Sequence, residues 1–201
     1  MNTALTTTAL GLAIAAGISP YATVALLGLT HKLGWVAALP PHLEAIADPW
    51  VITLACVLTA IEFAATLIPG LASAWEAVHT AIRPPAAAML AALVVWGGDP
   101  ALVLAIALLA GTIAFGTSLT KLGARLAIDT SPEPVSNGAA NISELTFVGL
   151  VSVFIWRHPV VVLAAAVVVV GTAALLVRAV WGIIWSAVSR TRRPGAAGIR
   201  S

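Results

Sequence analysis

Long uncharged apolar runs, separated by short polar breaks, dominate the chain. Residues 3–30 carry no charge and are long enough to span a bilayer as helix, but Gly17 and Ser19-Pro20 interrupt them. Proline inside a helix removes one backbone hydrogen bond and clashes one turn back. In lipid the freed carbonyl needs a protein or water partner. The pattern therefore predicts a first helix broken at Pro20, with the break facing protein. His31-Lys32 ends it, and a loop with Pro40-Pro41, Glu44 and Asp48 follows. A second helix is predicted over residues 49–68, because proline suits the first turn and aspartate suits the cap before it. Pro69-Gly70 ends that run. Residues 71–82 predict a short helix. Residues 84–98 are apolar but too short to span alone; they either join the preceding segment across a proline kink or form a half-helix ending in protein. Predicted helices over residues 101–120, 137–156 and 159–185 bring the count to about six spans, with residues 121–137 as a second polar loop.

The expected fold is thus all-α, a polytopic integral membrane helix bundle with proline-broken helices. Residues 1–188 form one transmembrane domain and residues 189–201 a basic tail. Asp48-Pro49, Asp99-Pro100 and His158-Pro159 each open a long helix after a turn. Pro20, Pro84-Pro85 and Pro132/Pro134 each sit at or inside the start of the helix before it. This spacing suggests three parallel two-helix units; recurring capping chemistry without common descent explains it as well. With six crossings both termini share a side. Arg83, Lys121, Arg125, Arg178 and the tail arginines fall on that side, and Lys32 and Arg157 on the other. The excess of basic residues places both termini in the cytoplasm.

Composition agrees. The 201 residues are 60% hydrophobic and 9% charged, against roughly 25% charged in soluble domains. An ordinary soluble domain and a disordered chain are both excluded. The isoelectric point near 9.2 comes mostly from the tail RTRRPGAAGIRS, which suits anionic lipid headgroups better than nucleic acid. The first 30 residues contain no Lys or Arg, so the first run is expected to be a retained helix rather than a secretory signal. The single cysteine, Cys56, leaves no internal disulfide and is expected to be a small packed residue.

The residues that could carry chemistry are few. Glu62 lies deep in an apolar run, where a carboxylate costs a few kcal/mol unless paired or hydrated. It is either an ion or proton site or a hydrogen-bonded lock between helices. Glu144 is similar but nearer a helix start, where the dipole alone favours an acid. Glu76 and His79 form an E-x-x-H pair, the spacing that di-metal bundles use. Without a second such pair, a polar network with Arg83 is the stronger reading. Lys121, Arg125, Asp129, Glu133 and Asn137 mark the second polar loop, as a solvated charge cluster. Pro20, Pro69, Pro84, Pro85, Pro132 and Pro134 mark the expected helix breaks. No nucleophile elbow, zinc-protease, P-loop or dinucleotide motif occurs, so neither enzymatic activity nor a cofactor is expected.

Glu62-Phe63 with Ile68-Pro69, Trp75 to Thr80 with Ile82 to Ala86, and Thr120-Lys121 with Arg125 form a specific set. With Thr130 to Pro134, Ser136-Asn137, Gly17 to Tyr21 and Glu144, they resemble the bacterial membrane family named domain of unknown function 4126. The likeness covers residues 10–160 or so. The family tends to carry an Asp-Lys pair where this chain has Thr66-Leu67, an aspartate at Ala72, and an acid at Leu145. The resemblance therefore implies a membrane fold with a thinned polar network, and no established activity. A small transporter or channel built on intramembrane carboxylates is the expected function. A lipid-binding or complex-assembly subunit is the alternative, and a homo-oligomer is compatible with either.

Overall fold

A computed structural model describes residues 3–36, 38–130, 134–158, 160–162, 164–169, 171–172, 174–175, 178, 182 and 185. Among them there is helix and no strand. The helices are α1 (Thr3–Ile18), α2 (Pro20–Lys32), α3 (Pro49–Thr66), α4 (Leu71–Val95), α5 (Pro100–Ile128) and α6 (Pro134–Arg157), followed by α7 (Val160–Val169). A 3-10 turn, Pro41–Ala47, joins α2 to α3. Among the described residues four helices, α3 to α6, are long and apolar enough to cross a membrane.

The centre of the bundle is α1. It carries no charge, which suits a helix enclosed by its neighbours. Leu12, Ala13, Ile14, Ala15 and Ala16 are fully buried among α4, α5 and α6. In lipid, apolar burial does not drive helices together, so close approach of small residues has to. Gly17 shows it: a Cβ there would lie 2.8 Å from the Ala114 Cα and the Thr117 Cβ of α5. The pair α4 and α5 shares the most extensive interface, and α2 and α3 pack together at the side.

Several sequence expectations hold. The first apolar run breaks at Ser19, and Pro20 opens α2. Asp48 and Asp99 cap α3 and α5, each side chain accepting from a backbone N–H at 2.8 Å, with proline in the first turn. Pro69 sits in the turn between α3 and α4, where Gly70 takes a left-handed φ of 81° that favours glycine.

Others are corrected. Pro84 and Pro85, expected as helix breaks, lie inside the continuous α4, so of the two readings of residues 84–98 it is the one that joins them to the preceding segment that holds. Ala72 and Glu76 before them, and Ala87, Leu90 and Ala91 after them, are buried on one face, so packing on both sides of the prolines supports one helix. Lys121 and Arg125 are not in a loop. Helix α5 continues to Ile128, and both are buried on it. Asn137 is likewise buried, inside α6, and Pro134 starts that helix rather than breaking it. Cys56, expected to be packed, is exposed on α3. Pro132, Glu133, Pro159 and the tail 189–201 lie outside the described residues.

Candidate functional site

Three helices each present polar residues at spacings that share a face. These are Glu76, Thr80 and Arg83 on α4, Ser118, Lys121 and Arg125 on α5, and Asn137, Asn141 and Glu144 on α6. Their stripes meet Glu62 of α3 beside the break between α1 and α2. Arg83 is fully buried and bridges two acids, reaching Glu62 Oε1 at 2.8 Å through Nη2 and Glu76 Oε2 through Nη1. The Lys121 ammonium lies 2.9 Å from Glu76, 3.0 Å from Glu144 and 3.4 Å from Glu62. It also donates to the Ile18 carbonyl at 2.9 Å. Four oxygens thus surround a group with three protons, and Glu62 is the most distant of them. Arg125 pairs with Glu144 at 2.8 Å and donates to the side-chain carbonyls of Asn137 and Asn141.

The cluster contains three carboxylates and three cations, so its formal charge is zero. Neutrality matters because an isolated charge inside a membrane is costly.

The helix break and the cluster are one construction. Ending α1 leaves carbonyls without helical donors. The Ser118 hydroxyl lies between Gly17 O at 2.9 Å and Ala114 O of its own helix at 2.7 Å and shares its proton between them, and Lys121 fills Ile18 O. At the start of α2, Ser19 Oγ accepts from the Ala22 N–H and donates to Glu62 Oε2. A cation therefore faces the negative end of α1, and an acid faces the positive end of α2. The sequence had asked for a protein partner at this break, and α3 and α5 supply it.

Asn141 extends the network. It donates to the Phe63 carbonyl at 3.1 Å and accepts from Thr66 at 2.9 Å, stitching the end of α3 to α6. Beside it, a cavity of about 20 Å³ is lined by Ser19, Thr59, Glu62, Thr66, Asn141 and Glu144, with Phe63 and Leu145 completing a largely apolar wall. That is room for one water molecule.

Glu76 and His79 part company. Glu76 turns to Arg83 and Lys121. The His79 Nδ1 lies 2.9 Å from the Trp75 carbonyl, which can only accept, so Nδ1 carries the proton. Its Nε2 then accepts from the Tyr21 hydroxyl at 3.3 Å, and the ring stacks on Trp75. Among the described residues no group of His, Cys, Asp or Glu is placed to hold a metal.

Asp129 stands apart from the cluster, at the end of α5. It caps α4 from outside, accepting from the Gly70 and Ser73 N–H groups at 3.2 and 3.3 Å and from the Ser73 hydroxyl. Asn137 donates to its other oxygen. Partial burial opposes its charge, but these donors outweigh that and hold its carboxyl below the usual range. Asp129→Ala is expected to lower the thermal stability of the detergent-solubilised protein by about 1 kcal/mol, as loss of a helix cap does. The contribution should be complete above the unfolded carboxylate value of about 3.9 and vanish as pH falls through the lower folded value. A pH-independent difference between variant and parent would contradict this assignment.

The match to a family model described as a domain of unknown function covers residues 6–179. The chain belongs to the DUF4126 family. No curated protein and no solved structure matches it. The matched region holds all six charged residues of the cluster, so the site belongs to the DUF4126 part of the chain. Of the residues singled out in the sequence, Glu62, Glu76, Arg83, Lys121, Arg125 and Glu144 converge, with Asn137 at the edge. His79 lies beside the cluster and Asp129 below α4. Ser19, Ser118 and Asn141 were missed. The spacing of Ser118 with Lys121 and Arg125, and of Asn141 with Asn137 and Glu144, is the signal that finds two of them.

Proposed function

We propose that this chain is a small multi-pass transporter or channel, with the charged cluster at the break in the first span as its proton or cation site. The observation that carries the reading is the coincidence of a discontinuous helix, intramembrane carboxylates and a water-sized cavity. Transporters build midplane sites from unwound helices of this kind. Glu62 is the central group. It bonds the start of α2 through Ser19, pairs with Arg83, and borders the cavity. Protonating it would loosen the Arg83 pair and the α2 contact together, which is how a bound proton could move a helix.

Six crossings follow if α1 and α2 form one broken span and α7 begins the last. Both termini then share one side, and the arginines of the tail make that side the cytoplasm, where the tail meets anionic lipids of the inner membrane. The matching Asp48 and Asp99 caps suit two of the three suggested two-helix units. A reporter active only in the periplasm, fused after Gly98, is expected to give signal; silence there would contradict this topology.

The second reading is a lipid-binding or assembly subunit in which the cluster only locks helices together. Its support is the neutrality of the cluster: every acid already has a cation partner. Proteoliposomes separate the two. The transport reading expects the reconstituted protein to dissipate an imposed proton or cation gradient faster than protein-free liposomes. Equal rates would leave the locking role.

A further inference from the structure

A second cavity, about 290 Å³ in volume, opens beside the cluster. Phe147 of α6 and Val168 of α7 line its apolar part, while Lys121, Thr117 and Thr120 of α5 and Glu144 of α6 form its polar end. The Thr117 and Thr120 hydroxyls are already committed to carbonyls of α5, and that of Thr172, which also lines the cavity, to the Val168 carbonyl. The polar end is therefore the Lys121–Glu144 pair. Of the six charged side chains in the cluster, Glu144 is by far the most accessible: its side chain is 23% exposed, against 5% for Lys121 and 1% for Arg125. It also lines the water-sized cavity next to Glu62, so it belongs to the walls of both spaces.

We infer that the larger cavity is a binding site for a small lipophilic amine in its cationic form, with the ammonium on Glu144 and the apolar body against Phe147 and Val168. The cluster as a whole is neutral, and accessibility selects the cation: the charged group most open to the cavity is a carboxylate. An anion entering here meets the exposed carboxylate first, while the cations behind it are buried and already held by Glu62, Glu76 and Glu144. A neutral alcohol gains the apolar contact but not the ion pair. The incoming ammonium takes the Glu144 oxygen that Lys121 occupies, and Lys121 keeps Glu62, Glu76 and the Ile18 carbonyl as partners. The inference rests on the transport reading only for the purpose of the site; binding itself is independent of it.

The test uses three molecules with one alkyl chain and different heads: hexylammonium, hexanol and hexanoate. Each is titrated into the full chain in lipid nanodiscs, with protein-free nanodiscs subtracted. Hexylammonium is expected to bind roughly tenfold or more tightly than hexanol, the scale of one hydrogen bond to a charged group, and hexanoate most weakly. Glu144→Gln should remove the preference for the amine while leaving hexanol binding in place. Ala124→Phe, which fills the cavity and leaves every charge in place, should weaken all three and covers the case in which the Glu144 variant fails to fold. Equal binding of the three molecules, a preference for hexanoate, or unchanged amine binding in folded Ala124→Phe would overturn the site. Amine binding without amine movement into liposomes supports the site and counts against transport. Proton flux without amine binding overturns the site and leaves transport standing.

Discussion

Arg83→Met is expected to destabilise the protein by about 3–5 kcal/mol, the cost of stripping the partner from a buried ion pair. The expectation follows from where the guanidinium sits. Arg83 is 0% exposed and holds Glu62 and Glu76 at once. Methionine fills much of the volume but leaves two carboxylates sharing Lys121, which already serves Glu144 and the Ile18 carbonyl. The damage is electrostatic rather than steric, so it should be partly reversible. Adding Glu76→Gln to Arg83→Met removes one orphaned charge and should recover part of the loss, whereas Glu76→Gln alone should destabilise by leaving the cluster with an excess cation. Thermal unfolding of the four proteins in one detergent measures this coupling. Additive losses, with no recovery in the double variant, would contradict the pairing described.

Much of this arrangement was legible in the sequence, and the parts that were not have physical reasons. Glu62 stood out because an acid inside an apolar run needs an explanation, and the pairing with Arg83 and Ser19 provides it. The break at Ser19-Pro20 was legible from proline chemistry alone. Pro84-Pro85 carries the same chemistry and misleads, because tertiary packing along α4 outweighs the local loss of hydrogen bonds. Lys121 and Arg125 misled in another way. Charge at the end of an apolar run resembles a solvated loop, and only the facing acids of α3, α4 and α6 turn that charge inward. Those acids are remote in sequence, so local reasoning could not pair them. Thr66 shows the reverse case: it looks like an ordinary polar residue at a helix end, yet it joins the network by bonding Asn141 of α6.

The cluster's neutrality leaves two roles in balance, a lock and a switch, and Glu62 decides between them. Glutamine at this position keeps the size of the side chain and a carbonyl acceptor for Arg83, with its NH2 turned to the Ser19 hydroxyl, but it cannot exchange a proton. A lock would tolerate the change at some cost in stability; a proton site would not. The most direct measurement is proton flux into liposomes carrying the folded parent or Glu62→Gln at equal density, read by an internal pH-sensitive dye. Flux in the variant is expected to fall roughly a hundredfold, the scale on which loss of a positioned proton-transfer group acts. Flux in Glu62→Gln equal to that of the parent would contradict the role of Glu62 as the proton site.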